Sequence, residues 1–162
     1  MLEENYSGDK KMFESWLQMY EDIRTGKSVT LLEEEAFLEI IEYFDETQSI
    51  KKAAEATDIA LVYYPFSASL LVKKADYQIV ERRFEDALVT LDQASVFDNH
   101  DINNTILKID ACLGLQREDD AMLEMETALQ RFEGDDCMDM LFELADVFDD
   151  YEIFDKVFDC LK

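Results

Sequence analysis

Proline, glycine and histidine are scarce in this chain of 162 residues, which contains one proline, four glycines and one histidine. Folds built from strands and tight turns need frequent glycine and proline, so their scarcity argues against such an architecture. The single histidine, His100, stands in the polar stretch FDNHDINN. A lone histidine in such a stretch is typical of a surface residue, so we do not expect it to act as a general base.

Basic residues are also few: 15 stand against 39 acidic residues, and the formal net charge is −24. Such a chain repels nucleic-acid phosphates and anionic membrane surfaces, so we expect neither kind of partner. An electrostatic partner would be cationic. No apolar run approaches the length of a membrane span, and the N-terminus lacks the apolar core of a signal peptide, which together predict a cytoplasmic protein.

The three cysteines, Cys112, Cys137 and Cys160, lie far apart and form no CxxC pair. We expect free thiols in a reducing compartment. The acid-rich runs EGDDCMD and FDDYEIFD lack the alternating ligand spacing of a calcium loop. Because no nucleophile, metal-ligand or phosphate-loop motif is found either, we expect no metal, no cofactor and no catalytic activity.

Small residues recur at a fixed distance along the chain. Two alanine sites each repeat twice with a spacing of 34 residues, namely Ala53, Ala87, Ala121 and Ala60, Ala94, Ala128. The two sites of each copy lie seven residues apart, close to two turns of a helix, and therefore on one helical face. Two sites that repeat at one period indicate an array of structural repeats.

Another amphipathic segment precedes each of these helices. In residues 32–46, Phe37, Ile40, Ile41 and Phe44 form an apolar stripe at helical spacing. Residues 68–83 and 101–115 carry similar stripes. Because only a few residues link the paired segments, we expect the two helices of each pair to pack antiparallel as a hairpin.

A helical hairpin of 34 residues with small residues at two fixed sites of its second helix resembles the tetratricopeptide repeat, or TPR. The resemblance extends from about residue 31 to the C-terminus and implies an all-α fold, a right-handed superhelical α-solenoid. In that family, the first small site lies where the two helices of a hairpin cross, and the second faces the next hairpin. The first helices depart from the family pattern, since Ile41, Ala75 and Ile109 stand where a small residue is usual.

The expected organisation is an N-terminal capping helix with its connector in residues 1–29, followed by a repeat array in residues 30–162. The array comprises complete hairpins at 31–64, 66–98 and 101–133 and a partial fourth at 136–162. The first helix is expected to end at Gly26, and TLLE at 30–33 then has the pattern of a capping box. The alternative for this helix is docking of a partner. Its apolar face consists of Phe13, Trp16, Leu17, Tyr20 and Ile23.

The fourth unit is incomplete. Its first helix contains Leu141, Ala145 and Phe148, and a second helix is expected to begin near Phe154. That helix would carry an apolar stripe that no later helix covers, formed by Phe154, Val157, Phe158 and Leu161. Because the end of a solenoid normally has a polar outer face, we expect a longer array rather than a truncated cap.

An acidic residue follows the small-residue site of each first helix. These four residues are Glu42, Asp76, Asp110 and Asp146. In the TPR family this position usually points into the concave groove, so the resemblance implies a groove that carries carboxylates. It argues against a ligand with a terminal carboxylate, which family members bind through basic and Asn residues, and favours a Lys/Arg-rich segment.

The alternative for the same residues is a solvated face, because Asp and Glu make up about a quarter of the chain. Neighbouring lysines would also offset part of the charge through local ion pairs, with Lys73 and Lys74 beside Asp76 and Lys108 beside Asp110.

The sequence therefore predicts a non-enzymatic protein–protein interaction scaffold with a basic protein or peptide as its partner. Two alternatives stay open. One is a structural module that forms homo-oligomers through its terminal apolar faces. The other is the N-terminal part of a longer repeat protein whose activity lies beyond residue 162.

Overall fold

The computed structural model describes residues 2–153, with side chains from Asp9 onward. All regular secondary structure in that range is helical. The helices are α1 (Leu2–Arg24), α2 (Glu34–Glu46), α3 (Ile50–Tyr63), α4 (Ala68–Val80), α5 (Phe84–Phe97), α6 (Ile102–Gly114), α7 (Glu118–Arg131) and α8 (Gly134–Asp150). The chain divides into two compact units, residues 1–65 and residues 66–162.

In the first unit, α2 packs against both α1 and α3. Tyr20 of α1 is almost fully buried, and its ring centroid lies 6.5 Å from that of Phe37 and 5.9 Å from that of Phe44. Nearer the start of α1, the ring of Phe13 lies 5.3 Å from that of Tyr43. Two residues of the apolar face of α1, Phe13 and Tyr20, therefore pack on α2, and Gly26, at a φ of 69°, follows the end of α1.

In the second unit, the hairpins are α4 with α5 and α6 with α7. Helix α6 also contacts α4 and α8, so the first helices α4, α6 and α8 lie side by side in one layer. An apolar core joins α6, α7 and α8. Its fully buried large side chains are Ile109, Met125, Met140, Leu144 and Phe148.

The six alanines that repeat along the chain are all buried, with exposed fractions of 0–1 %. They lie on α3, α5 and α7, the second helices of the three hairpins. Each of these helices packs against the first helix of its own hairpin. A side chain of one carbon at these sites leaves room for the neighbouring helix, since protein interiors are packed to crystal-like density.

Two residues after the end of each first helix stands a residue in the left-handed region of backbone space. Gln48, Arg82, Gln116 and Glu152 have φ angles of 55°, 59°, 60° and 56°. After α6, the Gln116 N–H donates to the Leu113 carbonyl at 2.9 Å, and the next N–H donates to the Cys112 carbonyl at 2.8 Å. This pair of bonds is the Schellman motif, which usually places glycine at the left-handed residue. None of the four positions holds glycine, and each therefore carries backbone strain.

Replacing Gln116 with glycine is expected to raise the free energy of unfolding by about 0.5–1 kcal/mol, because glycine adopts a positive φ without the steric cost of a Cβ. Urea denaturation followed by circular dichroism measures the change. The matched control is Gln93→Gly, an exposed glutamine inside α5. There the same substitution should destabilise by about 1 kcal/mol. Destabilisation by both changes would contradict strain at Gln116.

The capping box predicted at residues 30–33 is wrong. Helix α2 begins at Glu34, and its N-cap residue Glu33 makes no side-chain capping bond. Leu32 is buried, and its carbonyl accepts a hydrogen bond from the Tyr64 hydroxyl at 3.0 Å. This contact holds Leu32 outside the helix, so that α2 starts after it.

The buried stripe of α8 also differs from the predicted one. Ala145 is exposed and Leu141 is half-buried, whereas Met140, Leu144 and Phe148 are buried. These three residues lie four apart on the helical face that contacts the core of α6 and α7. The predicted second helix of the fourth unit, from Phe154 through Leu161, lies outside the described residues.

Candidate functional site

Three of the four predicted acidic residues lie on adjacent helices of the second unit. Asp76 is on α4, Asp110 on α6 and Asp146 on α8, and these helices are neighbours in one layer. We call these three residues the acidic row. Asp146 is exposed, whereas Asp76 and Asp110 are partly buried. Glu42 is exposed on α2 and belongs to the first unit.

Asp110 is held in place by a residue distant in sequence. The Tyr151 hydroxyl donates a hydrogen bond of 2.8 Å to Oδ1 of Asp110 and lies 3.4 Å from the Asp110 carbonyl oxygen. Burial raises the pKa of Asp110 above its ordinary value, the Tyr151 hydrogen bond opposes that rise, and the charge of Asp150 adds to it. Burial and the bond to Asp110 likewise raise the pKa of Tyr151. Asp110 is therefore not an ordinary solvated carboxylate.

Lys108 does not offset the charge of Asp110, which corrects the predicted local pairing. Its Nζ lies 2.9 Å from Oδ1 of Asp92 and donates a hydrogen bond of 3.1 Å to Oγ of Ser95, both on α5. The reason is helical geometry, because residues two apart on a helix do not face each other.

A cleft of about 420 Å³ opens where the helices of this layer end. Val80, Gly114 and Asp150 are the last residues of α4, α6 and α8, and all three line it. We call it the Tyr151 cleft. Its lining consists of Ile79, Val80, Arg82, Phe84, Asp110, Gly114, Asp150 and Tyr151.

Two physical features distinguish the Tyr151 cleft. A Cβ atom on Gly114 would lie 2.5 Å from the Phe84 ring, so glycine allows this ring to pack directly against the end of α6. Helix C-termini carry partial negative charge, and the cleft adds the carboxylates of Asp110 and Asp150 to three such ends. Arg82 contributes a positive charge that opposes them and lowers the pKa of Tyr151.

The residues that complete the cleft around Asp110 were not predicted as site residues. Tyr151 and Asp150 belong to the run FDDYEIFD, which is conspicuous in the sequence only for its carboxylates. Arg82 occupies the same position of its repeat as Gln48 and Gln116. The repeat period therefore does not indicate that Arg82 lines a cleft. Nothing in the sequence indicates that Tyr151 meets a residue 41 positions earlier.

Other chemically distinctive residues are placed as follows. His100 is exposed in the loop before α6, with its ring 6.4 Å from that of Phe132. Cys112 is a buried free thiol whose pKa burial raises, and Cys137 is a half-buried free thiol. Across residues 9–153, the side chains of histidine, cysteine, aspartate and glutamate form no group of three that could hold a metal ion. In residues 2–153, every helix is too short or too polar to cross a lipid bilayer.

No protein-family model matches this chain, and no curated protein matches it in sequence. Its fold, in contrast, matches solved structures, 17 chains in all. One of them, MamA MSR-1 C2, is 12 % identical in sequence and superposes with a TM-score of 0.60 over 99 % of this chain and 93 % of that chain. At this identity the likeness concerns the fold alone, which is an all-α, TPR-like helical repeat of the α-solenoid class.

Proposed function

We propose that this chain is a non-enzymatic scaffold for protein–protein interaction, and that its acidic row binds a Lys/Arg-rich segment of the partner. The observation that carries the proposal is the placement of three carboxylates on three adjacent helices, each four residues before the last residue of its helix. TPR-like solenoids are built from repeats whose stacking creates extended binding surfaces, and this architecture supports an interaction role.

The spacing of the acidic row suits an extended segment. Axes of packed helices lie about 8–10 Å apart. A segment in the extended polyproline II conformation advances about 3.1 Å per residue with three residues per turn, so every third side chain recurs on the same face at nearly the same distance. A segment that crosses α4, α6 and α8 with a basic residue at every third position would therefore place one cation near each carboxylate.

The environment of Asp110 favours this proposal over a merely solvated face. A solvated carboxylate keeps its ordinary pKa, whereas burial raises the pKa of Asp110. Lys108, the nearest basic residue in the sequence, is engaged by Asp92 instead. A basic side chain from a partner would stabilise this partly buried carboxylate through a charge-assisted hydrogen bond.

The test uses a fluorescent peptide that carries arginine at every third position, with binding measured by fluorescence anisotropy. Asp76→Lys combined with Asp146→Lys should weaken binding about tenfold or more, since two favourable ion pairs become repulsive. Asp110 is left unchanged, because a lysine there would break the Tyr151 hydrogen bond. A peptide of the same composition with clustered arginines should bind the unmodified protein less tightly.

The matched control is Asp119→Lys combined with Glu126→Lys, two exposed residues on α7. This pair changes the net charge by the same amount, at positions outside the acidic row. It should weaken binding much less. Equal losses in the two double variants would show that net charge alone attracts the peptide, and the acidic row would then not be the site.

The second candidate function is self-association through one of the two terminal apolar faces. On the apolar face of α1, Tyr20 and Phe13 already pack against aromatic rings of α2, so less of this face is available for association. Its residues Trp16, Leu17 and Ile23 are half-buried. The other predicted face, formed by residues 154–161, lies outside the described residues. Light scattering across a range of concentrations measures the oligomeric state directly.

We also propose a cytoplasmic location. The described cysteines support it, because Cys112 and Cys137 are both free thiols and Cys112 is buried like an ordinary core residue. Proteins of oxidising compartments usually pair their cysteines in disulfides.

A further inference from the structure

We infer that the Tyr151 cleft is a subsite for one arginine side chain, and that Arg82 limits how tightly it binds. The inference rests on the proposed function, because the arginine would belong to the basic segment that crosses the acidic row. It adds to that function a specific pocket, a preferred residue type and a residue of the chain itself that competes with the ligand.

The first argument is electrostatic. Three helices direct their C-terminal ends to the cleft, and each end carries about half a negative charge that is felt within the last turn. Asp110 and Asp150 add two carboxylates at the same place. The opposing charges in the lining are that of Arg82 and the positive partial charge at the N-terminus of α5, which begins at Phe84. They do not cancel the two carboxylates and the three helix C-termini. A cationic group is therefore the ligand that this lining favours.

The second argument concerns the orientation of Asp110. The Tyr151 hydroxyl binds Oδ1 at 2.8 Å and so fixes the carboxylate plane. Among the described residues Oδ2 accepts no hydrogen bond, and it can receive one from a ligand. A guanidinium presents several N–H donors in one plane, which matches an oriented carboxylate better than the single ammonium of lysine does.

The third argument comes from the walls of the cleft. Gly114 lets the Phe84 ring pack against the end of α6, and the ring thereby forms one wall. Planar guanidinium groups stack on aromatic rings, an interaction worth about 0.5–1 kcal/mol at exposed sites. Ile79 and Val80 provide apolar surface for the methylene groups of the side chain, and Val80 is 62 % exposed.

Arg82 occupies the rim of the cleft at the left-handed residue that follows α4. Its own guanidinium is attracted by the same carboxylates and helix ends that would bind the ligand. An incoming arginine must therefore displace the Arg82 side chain or bind against its electrostatic repulsion. Removing Arg82 should strengthen binding, and glycine is the suitable replacement because it also relieves the positive φ.

The probe is N-acetyl-arginine amide, titrated into the ¹⁵N-labelled protein and followed by amide chemical shifts. The blocked citrulline amide, which has nearly the same shape without the charge, serves as the control ligand. We expect saturable shifts at Val80, Gly114 and Asp150 with a dissociation constant in the millimolar range for arginine and none for citrulline. Equal shifts with citrulline would overturn the inference.

Two variants make the test specific. Asp150→Asn should weaken arginine binding about fivefold, and Arg82→Gly should tighten it about threefold, since each changes one charge at a partly exposed site. Tighter or unchanged binding by Asp150→Asn, or weaker binding by Arg82→Gly, would contradict the subsite. The variant spectra themselves show whether the fold is retained.

The labelled peptide separates this inference from the proposed function. If the double variant Asp76→Lys with Asp146→Lys weakens peptide binding while Asp150→Asn leaves it unchanged, the subsite is wrong and the acidic row stands. If neither variant weakens peptide binding, both proposals are wrong. If both variants weaken peptide binding, the acidic row and the arginine subsite are both supported.

Discussion

Replacing Phe148 with alanine is expected to lower the free energy of unfolding by about 3–5 kcal/mol, the usual cost of deleting a buried aromatic side chain. Phe148 is fully buried in the core that joins α6, α7 and α8, together with Met140 and Leu144 of the same helix. Such a loss is a large fraction of the 5–15 kcal/mol that typically stabilises a domain. Urea denaturation followed by circular dichroism provides the measurement.

Phe142 offers a matched control on the same helix, because it has the same side chain but is 70 % exposed. Phe142→Ala should change the free energy of unfolding by no more than about 0.5 kcal/mol. If the two variants were equally destabilised, α8 would not present the Met140, Leu144 and Phe148 face to the core.

The second large effect is expected at Ala53, where leucine should destabilise the first unit by about 1–3 kcal/mol. Ala53 is fully buried on α3, which packs against α2. Added methyl groups would force side chains out of their preferred rotamers or push the two helices apart. Thermal and urea denaturation of the variant measure the loss.

Ala54, the next residue, is the control for this substitution. It is only partly buried, and the equivalent positions of the next two repeats hold the larger residues Leu88 and Met122. Ala54→Leu should therefore remain within about 0.5 kcal/mol of the unmodified protein. A comparable loss at both sites would mean that the repeated alanine is not specifically required to be small.

Much of the fold was predictable because its signals are local and periodic. One physical constraint, the limited room at a buried contact between helices, acts in every repeat. It explains why alanine recurs at residues 53, 87 and 121. The apolar stripe of Phe37, Ile40, Ile41 and Phe44 likewise reflects helical periodicity, and all four residues are buried.

The predictions of helix ends failed where a tertiary contact outweighed a local sequence pattern. The residues TLLE have the spacing of a capping box, but Tyr64 binds the carbonyl of Leu32 and α2 begins later. The left-handed conformation of Gln48, Arg82 and Gln116 could not be predicted from the sequence either. Their side chains disfavour this conformation, and the geometry of the hairpin imposes it.

The candidate site shows the same division. The 34-residue period located Asp76 and Asp110 at equivalent positions of their helices, since a periodic sequence assigns equivalent positions without any knowledge of contacts, whereas Asp146 lies two residues beyond that period. The period did not distinguish Asp110 from the other two. That distinction comes from Tyr151, 41 residues later in the chain, whose hydroxyl binds Asp110 at 2.8 Å.

The sequence by itself determined the helical class, the period of the repeat and the excess of negative charge, because composition and spacing specify these properties directly. Tertiary structure decided which carboxylates are buried, which lysine is engaged elsewhere and where the helix ends converge. These features depend on contacts between residues distant in the chain, and their energies arise from burial and from neighbouring charges rather than from local preference.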